Sequence, residues 1–96
     1  MSIDLYIPFG KENAISRNRL CEITGMKDRQ IRLEIAKARK ASTGEFIVNF
    51  QEGEGYYRTR NKKEVRQWVA QETARIKNSM DSIEPARRYL GKGKAV

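Results

Sequence analysis

Ninety-six residues hold one small domain with one modest core and leave no room for a second. Twenty Lys and Arg against 12 Asp and Glu give a net charge of +8 and a pI near 9.9, an excess that favours a polyanion, either nucleic acid or an anionic membrane surface. With no histidine and one cysteine, Cys21, composition excludes His-based catalytic pairs, HExxH sites, an internal disulfide and a structural zinc site, and the chain reads as a non-enzyme without cofactor or metal.

Residues 1–14 form an apolar arm in which Ile3, Leu5 and Ile7 alternate as in a short strand until Pro8 interrupts them. Such an arm packs along its own domain or along a partner. Residues 13–15 predict a minimal strand that sends Ile15 into the core. Ser16 as N-cap and Gly25 at C′ bracket a first short helix, with Cys21 as a small buried side chain on it. Met26 and Lys27 are the turn. Asp28 is the expected cap of a second helix over residues 29–41, where Ile31, Ile35 and Ala38 recur as one buried stripe. At about 100° per residue, Arg29, Leu33, Ala36 and Lys40 lie opposite that stripe, with Gln30 and Lys37 on one flank and Arg32 on the other.

Ser42-Thr43-Gly44 is a loop, residues 45–50 are rich in β-branched and aromatic side chains, residues 51–55 turn the chain, and residues 56–59 return. A hairpin directly behind such a helix is the wing of a winged-helix domain, here over residues 15–60. Glu52 and Glu54 at its tip repel phosphates, so the wing either stays clear of nucleic acid or serves another partner. Asn61 at N-cap with Glu64 at N3 is a capping box that opens a long helix within residues 61–90, running to about residue 84. Val65, Trp68 and Val69 are its expected docking cluster, and Val69, Thr73, Ile76, Met80 and Ile83 continue at spacings of 4, 3, 4 and 3 as a heptad seam. About 23 helical residues measure about 35 Å, whereas a globule of about 60 residues spans only about 25 Å. The distal half therefore overhangs, and self-association is the simplest way to cover it, with folding back on the arm as the alternative. Pro85 is expected to stop or kink the helix, residues 86–90 to add one turn, and residues 91–96 to form a flexible basic tail.

These elements predict an α+β fold, mainly α: a winged helix-turn-helix with a two-stranded wing and a long C-terminal helix. The basic face of the second helix is fit for a major groove. Arg29, Gln30 and Arg32 would address base edges, since arginine pairs with guanine and glutamine with adenine, while Leu33 or Ala36 meets a thymine methyl. Arg17, Asn18, Lys27, Lys37, Arg58 and Arg60 would hold phosphates. The partners expected are double-stranded DNA and a second copy of the chain, joined through Val69, Ile76, Met80 and Ile83. The competing class is a protein-interaction module that binds or inhibits a host enzyme through the acidic wing, the arm and the seamed helix. No run approaches the about 20 apolar residues of a membrane span, and the first residues resemble no secretion signal, so a cytoplasmic protein with no membrane partner is expected.

The string Ile15-Ser16, then Leu20-Cys21-Glu22-Ile23-Thr24-Gly25-Met26-Lys27-Asp28-Arg29-Gln30-Ile31-Arg32, then Gly55-Tyr56-Tyr57 and Glu64-Val65, resembles small winged-helix proteins of phages and prophages of Gram-positive bacteria. The most specific elements are the Leu-Cys-x-x-Thr-Gly turn, the Asp-Arg-x-x-Arg helix opening and the Gly-Tyr-Tyr strand. The resemblance implies DNA binding in the host bacterial cytoplasm, as an early-region regulator or replication-associated factor. It places Arg29 and Arg32 where that group carries its recognition-helix arginines.

Overall fold

The computed structural model describes residues 3–94. It is α+β and mainly helical, with one two-stranded antiparallel sheet and a long C-terminal helix. The first helix, α1 (Arg17–Thr24), begins where the Ser16 hydroxyl accepts from the Arg19 amide at 3.1 Å and ends where Gly25 turns left-handed at φ 74°. Thr24 fixes the turn that follows: its hydroxyl donates to the Leu20 carbonyl at 2.6 Å and accepts from the Met26 amide at 3.1 Å. The second helix, α2 (Asp28–Lys40), is entered from an extended Lys27, so Asp28 is its first residue and not its cap. The Asp28 carboxylate instead takes the guanidinium groups of Arg17 and Arg32, stronger donors than the amides it would have capped. Leu20 of α1 and Ile31 and Ile35 of α2 are buried, Ala38 and Cys21 lie half-buried against them, and the stripe expected of α2 faces the core.

The hairpin is β1 (Phe46–Asn49) and β2 (Tyr56–Thr59), in the register Phe46 to Thr59, Ile47 to Arg58, Val48 to Tyr57 and Asn49 to Tyr56. Strand alternation sends Ile47 and Tyr56 into the core with the helices. Phe46, Val48, Tyr57 and Thr59 occupy the other face, under the third helix, α3 (Lys62–Lys94). The hairpin is thus a middle layer, covered on both sides. Its second edge is closed as well. Ile15 and Tyr56 exchange backbone bonds of 2.9 and 2.8 Å, and Arg58 bonds Pro8 and Gly10 at 2.7 and 3.0 Å. At Gly55, with φ 135°, a Cβ atom would lie 2.1 Å from the Ile15 carbonyl oxygen, so glycine is what lets these segments close.

The arm is not a strand. Ile3–Tyr6 is a 3₁₀ turn, which brings Ile3 and Ile7 onto one side, both buried against α2, and leaves Leu5 79% exposed. The expected alternation fails because residues 3–6 fold back as a turn, closed by the Ile7 amide on the Asp4 carbonyl at 3.3 Å, where an alternating strand needs an extended chain. The minimal strand over residues 13–15 reduces to the Ile15 bridge, with Asn13 ending a second 3₁₀ turn, Lys11–Asn13.

At the start of α3 the Asn61 side-chain oxygen accepts from the Lys63 amide at 2.9 Å. The reciprocal half of the capping box is replaced. Asn61 N–H donates to the Thr59 hydroxyl at 3.0 Å, and the Glu64 carboxylate turns to the hydroxyls of Tyr57 and buried Thr59. Burial, reinforced by Glu64, holds the Tyr57 phenol well above its ordinary range. Docking falls to Val65, Trp68 and Gln71, while Val69 stays 51% exposed. α3 does not end before Pro85 but runs through it. That stretch is fully solvated, so the missing amide leaves a carbonyl that water can satisfy, and no neighbour opposes a bend. Residues 91–94 continue the helix where a flexible tail is expected; residues 1–2 of the arm and 95–96 of the tail lie outside the described residues. The molecule measures 55 × 32 × 25 Å, its long axis set by the overhang.

Candidate nucleic-acid interface

The solvent face of α2 follows from the burial of Ile31 and Ile35. Arg29, Gln30, Arg32, Leu33, Ala36, Lys37 and Lys40 are all exposed, and Leu33 is 54% exposed. The two acids of α2, Asp28 and Glu34, are half-buried beside this face and are occupied, Asp28 by Arg17 and Arg32 (2.8 Å) and Glu34 by Lys37 (3.4 Å). Arg29 and Lys40, with Lys27 just ahead of the helix, form no ion pair among the described residues. The face therefore offers an amide, apolar tips and the unpaired cations Arg29, Lys40 and Lys27, while Arg32 and Lys37 each share a carboxylate at its border.

The other positions singled out in the sequence fall into two groups. Arg17, from the first turn of α1, meets Arg32 at Asp28, and Asn18 is exposed next to it. Desolvation pushes the Asp28 carboxyl up, but Arg17 and Arg32 outweigh it and hold the group below the usual carboxylate range. Tyr56 and Asp28 together raise the Arg17 guanidinium. Arg58 and Arg60 gather elsewhere, on Glu45 at 3.5 and 3.2 Å. Arg58 Nε also donates to the Ile7 carbonyl at 2.9 Å, and Arg60 lies 5.5 Å from the Phe9 ring. Arg58 is spent on closing the arm over the sheet, and it is not brought to the face of α2.

Arg39 is the residue that sequence reasoning passed over. Its guanidinium lies 4.3 Å from the Trp68 ring centre and about 6 Å from those of Phe46 and Tyr56. Its Nε donates to the Ile47 carbonyl and a terminal nitrogen to Asn49 Oδ1, each at 2.9 Å. Burial lowers its pKa. The signal was there to read, since Arg39 follows Ile35 by one helical turn and so borders the buried stripe. Gln71 was missed too. It accepts from the Gln51 amide and donates to the Asn49 carbonyl, pinning the hairpin turn to α3 at 3.0 and 3.1 Å. Glu52 and Glu54 project from that turn, exposed.

Along α3, Val69, Ile76, Met80 and Ile83 are 47 to 63% exposed. Because the helix continues past Pro85, Arg87 and Leu90 extend the same seam. Among the described residues no helix is long and apolar enough to cross a membrane, and no acidic or sulfur cluster is fit to hold a metal. No family model matches this chain, and neither a curated protein nor a solved structure matches it.

Proposed function

We propose that this chain is a winged helix-turn-helix protein that binds double-stranded DNA sequence-specifically as a homodimer, without catalysis. It would work in a bacterial host cytoplasm as an early-region regulator or replication-associated factor of the phage and prophage kind. The observation that carries the reading is the exposed face of α2, with Arg29, Gln30, Leu33 and Ala36 available to base edges and the cations Lys27, Lys37 and Lys40 around them. The Ile15 bridge ahead of α1 and the hairpin behind α2 agree with a winged frame.

The dimer rests on the seam of α3, and its charges favour an antiparallel pair. In a parallel pair Arg87 would face Arg87 of the other copy. In an antiparallel pair with Met80 opposite Ile83, Arg87 meets Ile76, and Lys77 faces Glu84 twice across the two-fold axis. The overlap is centred on residues 73–91, the solvated span of α3.

A second reading is favoured by the hairpin turn: Glu52 and Glu54 are exposed on a turn held by α3, a surface suited to a basic protein partner such as a host enzyme. Selection from random duplexes, followed by affinity against salt concentration, separates the two. If four to six phosphates are neutralised, log K should fall with log salt at a slope of roughly −4 to −5. A slope near zero, or no duplex binding at low salt, removes the DNA reading and leaves the protein partner.

A further inference from the structure

The groove between α2 and α3 is walled by Arg17, Arg32, Arg39 and Arg75 above Tyr56, and encloses about 320 Å³. Its charge is unbalanced. Arg17 and Arg32 share one carboxylate, Asp28, and Arg75 holds Glu72 at 3.0 Å, while Arg39 makes no ion pair among the described residues. Two positive charges are left over in a partly desolvated site. Arg39 cannot relieve this by swinging out, because Trp68, Ile47 and Asn49 fix its plane. Its second terminal nitrogen has no hydrogen-bond partner among the described residues. No buried side-chain nitrogen or oxygen in the described structure lacks one, so that nitrogen is reached by solvent, and Arg39 lines the groove. A fixed guanidinium with free donors, flanked by further guanidinium groups, is the donor set that suits a tetrahedral oxyanion.

We propose that this groove binds a phosphate group, held by Arg39 and Arg75 with Arg17 and Arg32 at its rim. Arg32 and Arg39 lie on the flank of α2 that adjoins Arg29, Leu33 and Ala36, where the backbone of a strand would pass if that face lay in a major groove. The assignment of the phosphate to DNA rests on the function proposed above. A free phosphate compound offers the same chemistry.

The test uses the full chain, inorganic phosphate and the selected duplex. Phosphate is titrated at low salt while the Nε–H resonances of Arg39 and Arg75 are followed by NMR, and duplex affinity is measured in parallel. Wild type should show saturable shifts. Arg75→Gln should weaken phosphate binding several-fold. Glu72→Gln, which removes the one carboxylate in the groove, should tighten it about three- to tenfold, a gain that misfolding cannot produce. If the phosphate is a DNA backbone phosphate, Arg75→Gln also flattens the duplex salt slope by about 1, and Glu72→Gln strengthens duplex binding. Phosphate binding that responds to both variants while duplex affinity does not move assigns the groove to a free phosphate compound and upholds the site. Absence of phosphate shifts, with duplex affinity indifferent to both variants, overturns the groove and leaves the α2 face standing. Phosphate binding without any duplex binding upholds the groove and overturns the DNA reading.

Discussion

Arg39 joins the three layers of the molecule at one side chain. It leaves α2, spans the edge of the hairpin to reach the Ile47 carbonyl and Asn49, and lies flat on Trp68 of α3. Two hydrogen bonds from a charged donor and a desolvated cation–π contact are together worth about 3 kcal/mol in such a setting. Arg39→Ala should therefore lower stability by about that amount, while Arg32→Ala, an exposed pair with Asp28, should cost less than about 1 kcal/mol. Urea unfolding followed by the fluorescence of Trp68, the single tryptophan, measures both. Equal losses would mean that Arg39 is an ordinary surface arginine. At this scale the sequence is partly legible. Ser16, Gly25 and Asn61 act as the caps their types suggest, because capping is local chemistry. Gly55 reads only as a turn residue, since its reason is the approach of Ile15, far away in the chain. Asp28 reads as a cap because Arg17, which captures it, comes from another helix.

The elements divide along the same line. α1, α2, the hairpin and the start of α3 each announce themselves by a periodicity or a cap within a few residues. The arm does not, because Ile3, Leu5 and Ile7 fit either a strand or a turn, and only the surface of α2 selects the turn that buries Ile3 and Ile7. The end of α3 misleads for the opposite reason. Pro85 is a strong local stop only where its lost hydrogen bond goes unsatisfied, and in solvent it does not. The candidate site was legible as the outward face of α2, whereas the groove behind it depends on Arg39 and Arg75 meeting across two elements. The division of labour on α2 itself is testable. Arg29→Ala, if it removes a bidentate guanine contact, should cost about 1 to 3 kcal/mol on the selected duplex and much less on random DNA. Lys37→Ala should weaken both nearly alike, as loss of a phosphate contact does. Parallel losses for the two variants on both duplexes would show that the face attracts DNA without reading it.

At the scale of the whole molecule, an exposed apolar seam on a helix that stands clear of its own core has to be covered or tolerated. If a second copy covers it, Met80→Glu with Ile83→Glu places charges in the interface, and light scattering should report the monomer mass. Circular dichroism should still show a folded chain, because Val65, Trp68 and the buried isoleucines are untouched. Duplex affinity should fall with the dimer, since the second half-site contact is no longer tethered to the first. Orientation is resolved by charge. Lys77→Glu alone weakens either arrangement: it opposes Glu84 in the antiparallel pair and Glu72 in the parallel one. Adding Glu84→Lys restores the antiparallel dimer, whereas in a parallel pair residue 84 faces Ser79 and the exchange restores nothing. A wild-type chain that is monomeric at all concentrations would end the dimer proposal. Rescue by the double exchange would fix the two exposed α2 faces at opposite ends of one shared helical pair.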